Sequence, residues 1–222
     1  MTARNGSLWD DYRQIAGHAI RASLPDQVVE KALRGRAFSG RKLIVAAGKA
    51  AWQMANVACK ALPALAGGVV VTKYGHVKGE IDGVACYEGG HPVPDEACVE
   101  GCKKIEALAR DITSRDLVFT ITGSGCGSLM TYPADDITID EIARFTHMMQ
   151  IEKGVPTSDL NPIRTHIDRF KGGRLSRLFR PATLVHMTTA DPSKQNTPVT
   201  RTTYFEMLEH NTFFPPLSTG TT

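Results

Sequence analysis

The run Asp116–Ser128, DLVFTITGSGCGS, narrows the choice of fold further than any other segment. Leu117-Val118-Phe119-Thr120-Ile121 is short, apolar, β-branched and aromatic, and it is bounded by Asp116 and a glycine cluster. That pattern is a buried strand. It runs directly into Gly123-Ser124-Gly125-Cys126-Gly127-Ser128. Such a loop can turn backbone N–H groups toward one point, because glycine tolerates positive φ and admits a ligand close to the main chain. Ser124 and Ser128 add hydroxyls. Open α/β sheets bind ligands at the carboxyl ends of their strands. Two readings stay open: an anion cradle, or a glycine-rich turn with no ligand.

The rest of the chain repeats the strand-then-turn pattern. Ser7–Arg36 reads as two helices separated by Pro25, with Ser7 as a cap and Trp9, Tyr12, Ile15, Ala16 and Ile20 at helical spacing. Lys42–Ala47 is a strand, followed by Gly48-Lys49-Ala50-Ala51 and a small-residue helix to about Leu62. A lysine between a strand and a helix stands where helix-end dipoles gather anions, so Lys49 is a phosphate or carboxylate ligand or else a solvated surface lysine. GxxxxGK[ST] is absent, so Lys49 is not a P-loop lysine. Gly68–Lys73 and Val84–Glu88 are strands, and Asp95–Arg110 is a helix. His91, between Gly-Gly and Pro, either lines a site or is structural. Cys98 and Cys102 lie four apart without further ligands, which predicts packing rather than metal binding.

Asp135–Gly154 reads as one helix with a Thr138/Glu141 capping box and an apolar stripe of Ile142, Phe145, Met148 and Met149 facing the core. Asp159–Arg180 is basic: Arg164, His166, Arg169, Lys171, Arg174, Arg177 and Arg180 against Asp159 and Asp168. Arg164, Asp168 and Lys171 are spaced to share one helical face, and Lys171-Gly172-Gly173-Arg174 breaks that helix. The segment is a second anion-binding candidate or a solvated basic face. Ala182–Thr189 is a further strand, and Asp191 lies just past its end. A carboxylate there suits Mg²⁺, which takes one or two carboxylates plus phosphate oxygens. Pro192–Thr203 is polar and loop-like, Tyr204–His210 is a short helix, and no repeat or linker is evident.

Strands alternate with helices and ligand-like residues collect at strand ends. The expected fold is α/β, a three-layer sandwich with a mostly parallel, Rossmann-like central sheet. Composition sets limits on function. The 222 residues carry a net charge of +3, too weak to argue for nucleic acid, and the basic segment lacks interleaved aromatics. There is no apolar run of membrane length and no signal-peptide core, and five cysteines at irregular spacing suggest reduced thiols. The expectation is a cytoplasmic protein that acts on a small molecule, binding neither membrane nor nucleic acid.

Several stretches agree in order with one family. Val45–Ala51, Val70–His76, Gly89–Ala97, and Asn161–His166 with Lys171–Leu175 resemble the N-terminal domain of the class II glycerate 2-kinases, some of which are labelled hydroxypyruvate reductase. The resemblance covers roughly residues 10–190. It implies ATP- and Mg²⁺-dependent phosphorylation of D-glycerate at O2 to give 2-phosphoglycerate. Carried over, Lys49 steadies the transferring phosphoryl group, and Arg164 joins it as a catalytic residue. Gly123, Ser124, Gly125, Gly127 and Ser128 cradle phosphates or the substrate carboxylate. His91, Asn161 and Lys171 supply further polar contacts, and Asp191 is the metal ligand. The chain departs from the family where Ser-Gly-Gly-Gly-Ser is usual, and past Ala190. The expected organisation is a kinase-like domain over 1–190 and a divergent tail over 191–222, without the family's C-terminal domain. A homo-oligomer or a separate partner carrying that domain would complete the cleft. The alternative function is a non-catalytic anion-binding or interaction module. A reductase is disfavoured, because the loop is GxGxG rather than GxGxxG and no acidic residue follows at the ribose-binding distance.

Overall fold

The computed structural model describes residues 7–188. Its centre is a five-stranded sheet built from β1 (Lys42–Ala47), β2 (Leu65–Lys73), β3 (Val84–Gly89), β4 (Leu117–Thr122) and β5 (Thr183–Thr188). The order is β3-β2-β1-β4-β5 and every pairing is parallel. Parallel strands need helical crossovers, and these cover both faces, so the strands read as near-continuous apolar runs. All six residues of β1 are buried. The expected three-layer α/β architecture is the one observed, with the sheet wholly rather than mostly parallel.

One face packs against α2 (Asp26–Leu33) and α3 (Ala51–Ala61), with Val29, Leu33, Met54 and Ala58 meeting Ile44, Phe119 and Ile121. The other packs against α4 (Glu96–Leu108), α5 (Cys126–Leu129) and α8 (Arg174–Leu178), with Cys98, Cys102, Ile105, Leu129 and Leu175 meeting Val45, Val71 and Val118. Phe119 and Ile121 are wholly buried, each worth roughly 1.5–3 kcal/mol of transfer free energy. The pair Cys98 and Cys102 is buried packing, and no metal-holding group of three or more His, Cys, Asp or Glu is found among the described residues. Asp116 anchors the start of β4. Its carboxylate accepts from Arg41 Nε and Nη2 at 3.0 and 2.8 Å and from the Thr113 N–H at 2.7 Å. The Arg41 guanidinium holds that carboxyl down at about 2.

Three expectations are corrected. The helix α6 (Ile139–Thr146) has the expected Thr138/Glu141 capping box, but it continues as a π-helical segment, His147–Glu152. The wider winding turns later residues off the α-helical period. Ile142 is buried, Phe145 is partly covered, and Met148 is 43% exposed, so the stripe is not core throughout. Next, α7 (Thr157–His166) ends before Asp168, so Arg164, Asp168 and Lys171 do not share a helical face. They meet through a turn, in which segment 132–134 pairs with segment 167–169 by the Pro133–Asp168 bridge. Last, the glycine loop is not wholly loop: Cys126–Leu129 closes into one helical turn behind Gly125. The amphipathic α1 (Leu8–Ser23) is helical as expected, with Ser7 accepting from the Asp10 N–H, yet it buries none of its residues. Among the described residues, no helix is long and apolar enough to cross a membrane. Asp191, and the loop and short helix expected over 192–222, lie outside the described residues.

Candidate active site

The strand order reverses direction between β1 and β4. After β1 the chain moves outward to β2 and β3, then crosses back to β4 on the other side of β1 and moves outward again to β5. Doubly wound sheets bind ligands at this switch point, because the two diverging connections leave a crevice beyond the strand ends. Ala47 pairs with Thr122, so β1 and β4 end level with each other. The turns that follow are Gly48-Lys49 and Gly123-Ser124-Gly125.

These two turns are joined by their main chains. The Gly123 N–H donates to the Ala47 carbonyl at 3.0 Å and the Lys49 N–H donates to the Ser124 carbonyl at 2.9 Å. Gly48 has φ +132°, and a Cβ built there lies 3.0 Å from the carbonyl carbon and oxygen of Gly123. A side chain at Gly48 would therefore drive the turns apart. Gly125, at φ +90°, would place its Cβ 2.9 Å from the His91 ring and 3.2 Å from Lys49 Cγ. His91, Lys49 and Gly125 are thus immediate neighbours. The end of β2 pins the lysine turn: Thr72 Oγ1 donates to the Gly48 carbonyl at 2.9 Å, and His76 Nδ1 donates to the Lys49 carbonyl at 2.8 Å. Lys49 itself is exposed at the mouth.

The charges that act most strongly on His91 are positive. Burial, and then the positive charges of Lys49, Lys73 and Arg164, push the His91 imidazole below its usual range. It is neutral at pH 7 and stands in a field that favours anions. Burial holds the Cys126 thiol up at about 11, so it is not a thiolate nucleophile at neutral pH.

Behind the glycine turn lies a second group of polar residues. Ser128 Oγ donates to the Pro92 carbonyl at 2.7 Å, which ties α5 to the turn carrying His91. A small cavity of about 10 Å³ is lined by Gly127, Ser128, Arg164, Asp168 and Lys171, among others. Arg164, Asp168 and Lys171 are each at most 6% exposed. Asp168 accepts from the N–H groups of Phe170 at 2.8 Å, Lys171 at 3.1 Å and Tyr132 at 3.1 Å, and pairs with Lys171 Nζ. Lys171 Nζ also donates to the Met130 carbonyl at 3.3 Å, and Arg164 Nη2 donates to Gln150 Oε1 at 2.8 Å. Arg174 closes the Gly172-Gly173 turn by donating to the carbonyls of Thr165, Asp168 and Lys171. Asn161 is buried one turn before Arg164 on α7.

Most of the residues singled out from sequence form two adjoining sets; Asn161, on α7, is not among the residues lining the cavity, and Asp191 is outside the described residues. Lys49, His91, Ser124 and Gly125 form the mouth, and Gly127, Ser128, Arg164 and Lys171 form the wall behind it. Residues 11–197 match a family model described as a domain of unknown function, DUF4147. The chain belongs to the DUF4147 family. It is 35% identical to the D-glycerate 2-kinase of Thermotoga maritima, over 80% of this chain and 42% of that protein. It is 30% identical to the glycerate 2-kinase of Pyrococcus horikoshii, over 78% and 41% of the two chains. It is also 33% identical to a putative hydroxypyruvate reductase of Agrobacterium vitis, over 86% and 43%. The solved glycerate kinase of Thermotoga maritima superposes with a TM-score of 0.71 at 34% identity, over 80% of this chain and 43% of that one. This DUF4147 chain therefore spans less than half the length of the relatives it matches. The resemblance to glycerate 2-kinases read from the sequence is the one the comparisons return.

Three contributors to the site carry no sequence reading of their own. Thr72 and His76 hold the lysine turn, and their signal was a polar cluster at and just past the end of a β-branched strand. Thr146 lines the cavity from the end of α6, and its signal was a hydroxyl one turn beyond Ile142 on the apolar side of an amphipathic helix.

Proposed function

We propose that this chain carries the phosphoryl-transfer half-site of a glycerate 2-kinase, which phosphorylates D-glycerate at O2 with ATP. The observation that carries the proposal is the meeting of Gly48-Lys49 and Gly123–Gly125 at the switch point, in a field set by Lys49, Lys73 and Arg164. Phosphoryl transfer needs positioning and charge neutralisation more than covalent chemistry. Lys49 sits at the mouth and balances charge on the transferring phosphoryl group. The turn Gly123–Ser128 approaches the phosphates or the substrate carboxylate with its main chain, and Gly125 leaves the space that His91 and Lys49 border. Neutral His91 offers hydrogen bonding without a charge. Arg164 acts with Lys49, and Asn161 and Lys171 add polar contacts from behind.

ATP suits these residues, since cations and close backbone turns are what a polyphosphate requires. A bound Mg²⁺ supplies further charge neutralisation at phosphate oxygens, and Asp191 is the ligand we assign to it. The cytoplasm suits the five free cysteines. The full relatives are more than twice as long as the stretch matched here. A second domain, from the same polypeptide or a partner subunit, supplies the facing wall in this scheme. We divide the chain into this domain over 1–190 and a divergent tail over 191–222.

The second reading is an anion-binding module without turnover, favoured by the two buried cations, Arg164 and Lys171, that line the small cavity behind the glycine turn. Phosphorus NMR of the chain with ATP, Mg²⁺ and D-glycerate separates the two. A new phosphomonoester resonance matching 2-phosphoglycerate supports the kinase, whereas ligand line-broadening without product selects the module. Oxidation of a nicotinamide cofactor with hydroxypyruvate would instead point to the reductase label.

A further inference from the structure

Thr146 is the last residue of α6 and is 1% exposed. Its Oγ1 is the one buried side-chain nitrogen or oxygen among the described residues with no hydrogen-bond partner. A buried hydroxyl left unsatisfied is costly, and such groups in folded proteins call for an explanation. Thr146 lines the same cavity as Ser128, Thr131, Arg164, Asp168 and Lys171. That cavity, about 10 Å³, is close to the room one oxygen atom needs. Its lining holds two buried cations and one carboxylate, and it adjoins the glycine turn through Gly127 and Ser128.

We propose that the cavity receives a single oxygen of the ligand's anionic group, a carboxylate or phosphate, with the Thr146 hydroxyl donating to it beside Arg164 and Lys171. The subsite rests on the reading of this region as an anion site. Thr146 contributes what neither cation can: a short, fixed donor that admits an oxygen and not a larger group. The hydroxyl is left unsatisfied in the free protein so that it is satisfied in the complex.

Two variants test this on the purified chain. Thr146→Val keeps the shape and removes the hydroxyl, and Thr146→Ser keeps the hydroxyl. Melting temperatures are measured without ligand, and affinities for D-glycerate and for inorganic phosphate are measured by calorimetry. Thr146→Val is expected to melt at or above the wild-type temperature, since it deletes an unsatisfied polar group. It is expected to lose about tenfold or more in affinity, the scale of a hydrogen bond to a charged group. Thr146→Ser retains affinity within a few-fold. The anion whose affinity falls names the group that enters: a hydroxy-acid carboxylate or a phosphate. A lower melting temperature with unchanged affinity would mean that the hydroxyl serves a structural water, and would overturn the proposal, as would a wild-type chain that binds neither anion. The kinase reading falls separately. If Thr146→Val weakens phosphate binding in a chain with no turnover, the subsite stands without the kinase. If turnover persists unchanged in Thr146→Val, the kinase stands without the subsite.

Discussion

Replacing Gly48 by alanine tests the contact between the two turns. The residue sits at φ +132°, where a non-glycine side chain costs of order 1–3 kcal/mol. Its new methyl would also lie 3.0 Å from the Gly123 carbonyl carbon and oxygen and 3.1 Å from its Cα. Carbon contacts settle near 3.5–4.0 Å, so Gly123 must retreat by about half an ångström. The obstacle is backbone on both sides, and neither turn can move without stretching the 2.9 Å bond from Lys49 N–H to Ser124. Overpacking of this kind adds roughly 1–3 kcal/mol. The sum is about 2–6 kcal/mol, which for a chain of this length lowers the melting temperature by roughly 4–24 °C. Gly127→Ala is the matched control. A Cβ there meets nothing within 4 Å, and the residue lies in a helical turn where alanine is favoured by up to about 1 kcal/mol. Thermal melts followed by circular dichroism should show a large loss for Gly48→Ala and none for Gly127→Ala. Equal melting temperatures for Gly48→Ala and wild type would refute the claim that the turns are held in contact.

Two further outcomes follow from buried titratable groups. Burial holds the His186 imidazole down at about 4, beside Thr120 Oγ1 at 3.0 Å. A folded-state value below the ordinary 6.5 gives stability that is complete above pH 6.5 and is lost as pH falls toward 4. Roughly 1–2 kcal/mol should be gone by pH 5, and His186→Gln should flatten that slope in urea titrations. A slope unchanged in the variant would remove His186 from the acid transition. Asp168→Asn leaves the Lys171 ammonium buried without its carboxylate, which costs roughly 3–5 kcal/mol. The double change Asp168→Asn with Lys171→Met should recover part of that loss in denaturant melts, and additive losses would contradict the pairing.

Local signals made the sheet legible. β1 begins and ends where an unbroken β-branched and small-residue run begins and ends, because a strand buried on both faces needs no polar alternation. The capping box of α6 is likewise written in Thr138 and Glu141. The site was legible as far as its parts stood at strand ends: Lys49 and the glycine turn each follow a strand directly. What the sequence did not show is set by long-range contact. Arg164, Asp168 and Lys171 converge because segment 132–134 pairs with segment 167–169, a non-local bridge with no periodicity to betray it. Met148 left the core because the helix widened after Thr146, and α-helical spacing assumes that it does not. Thr146 is marked by its burial and by a hydroxyl without a hydrogen-bond partner, and no local sequence pattern encodes the latter.

The central claim is that Lys49, held at the switch point by Thr72, His76 and Ser124, neutralises charge during transfer of a phosphoryl group. A coupled ADP-release assay of the chain with ATP, Mg²⁺ and D-glycerate, beside Lys49→Ala, tests it most directly. Turnover that depends on D-glycerate and drops at least a hundredfold in Lys49→Ala, with an unchanged circular dichroism spectrum, is the expected result. Equal turnover in the two proteins, or none in a folded wild-type chain supplied with the C-terminal half of a relative, would contradict it.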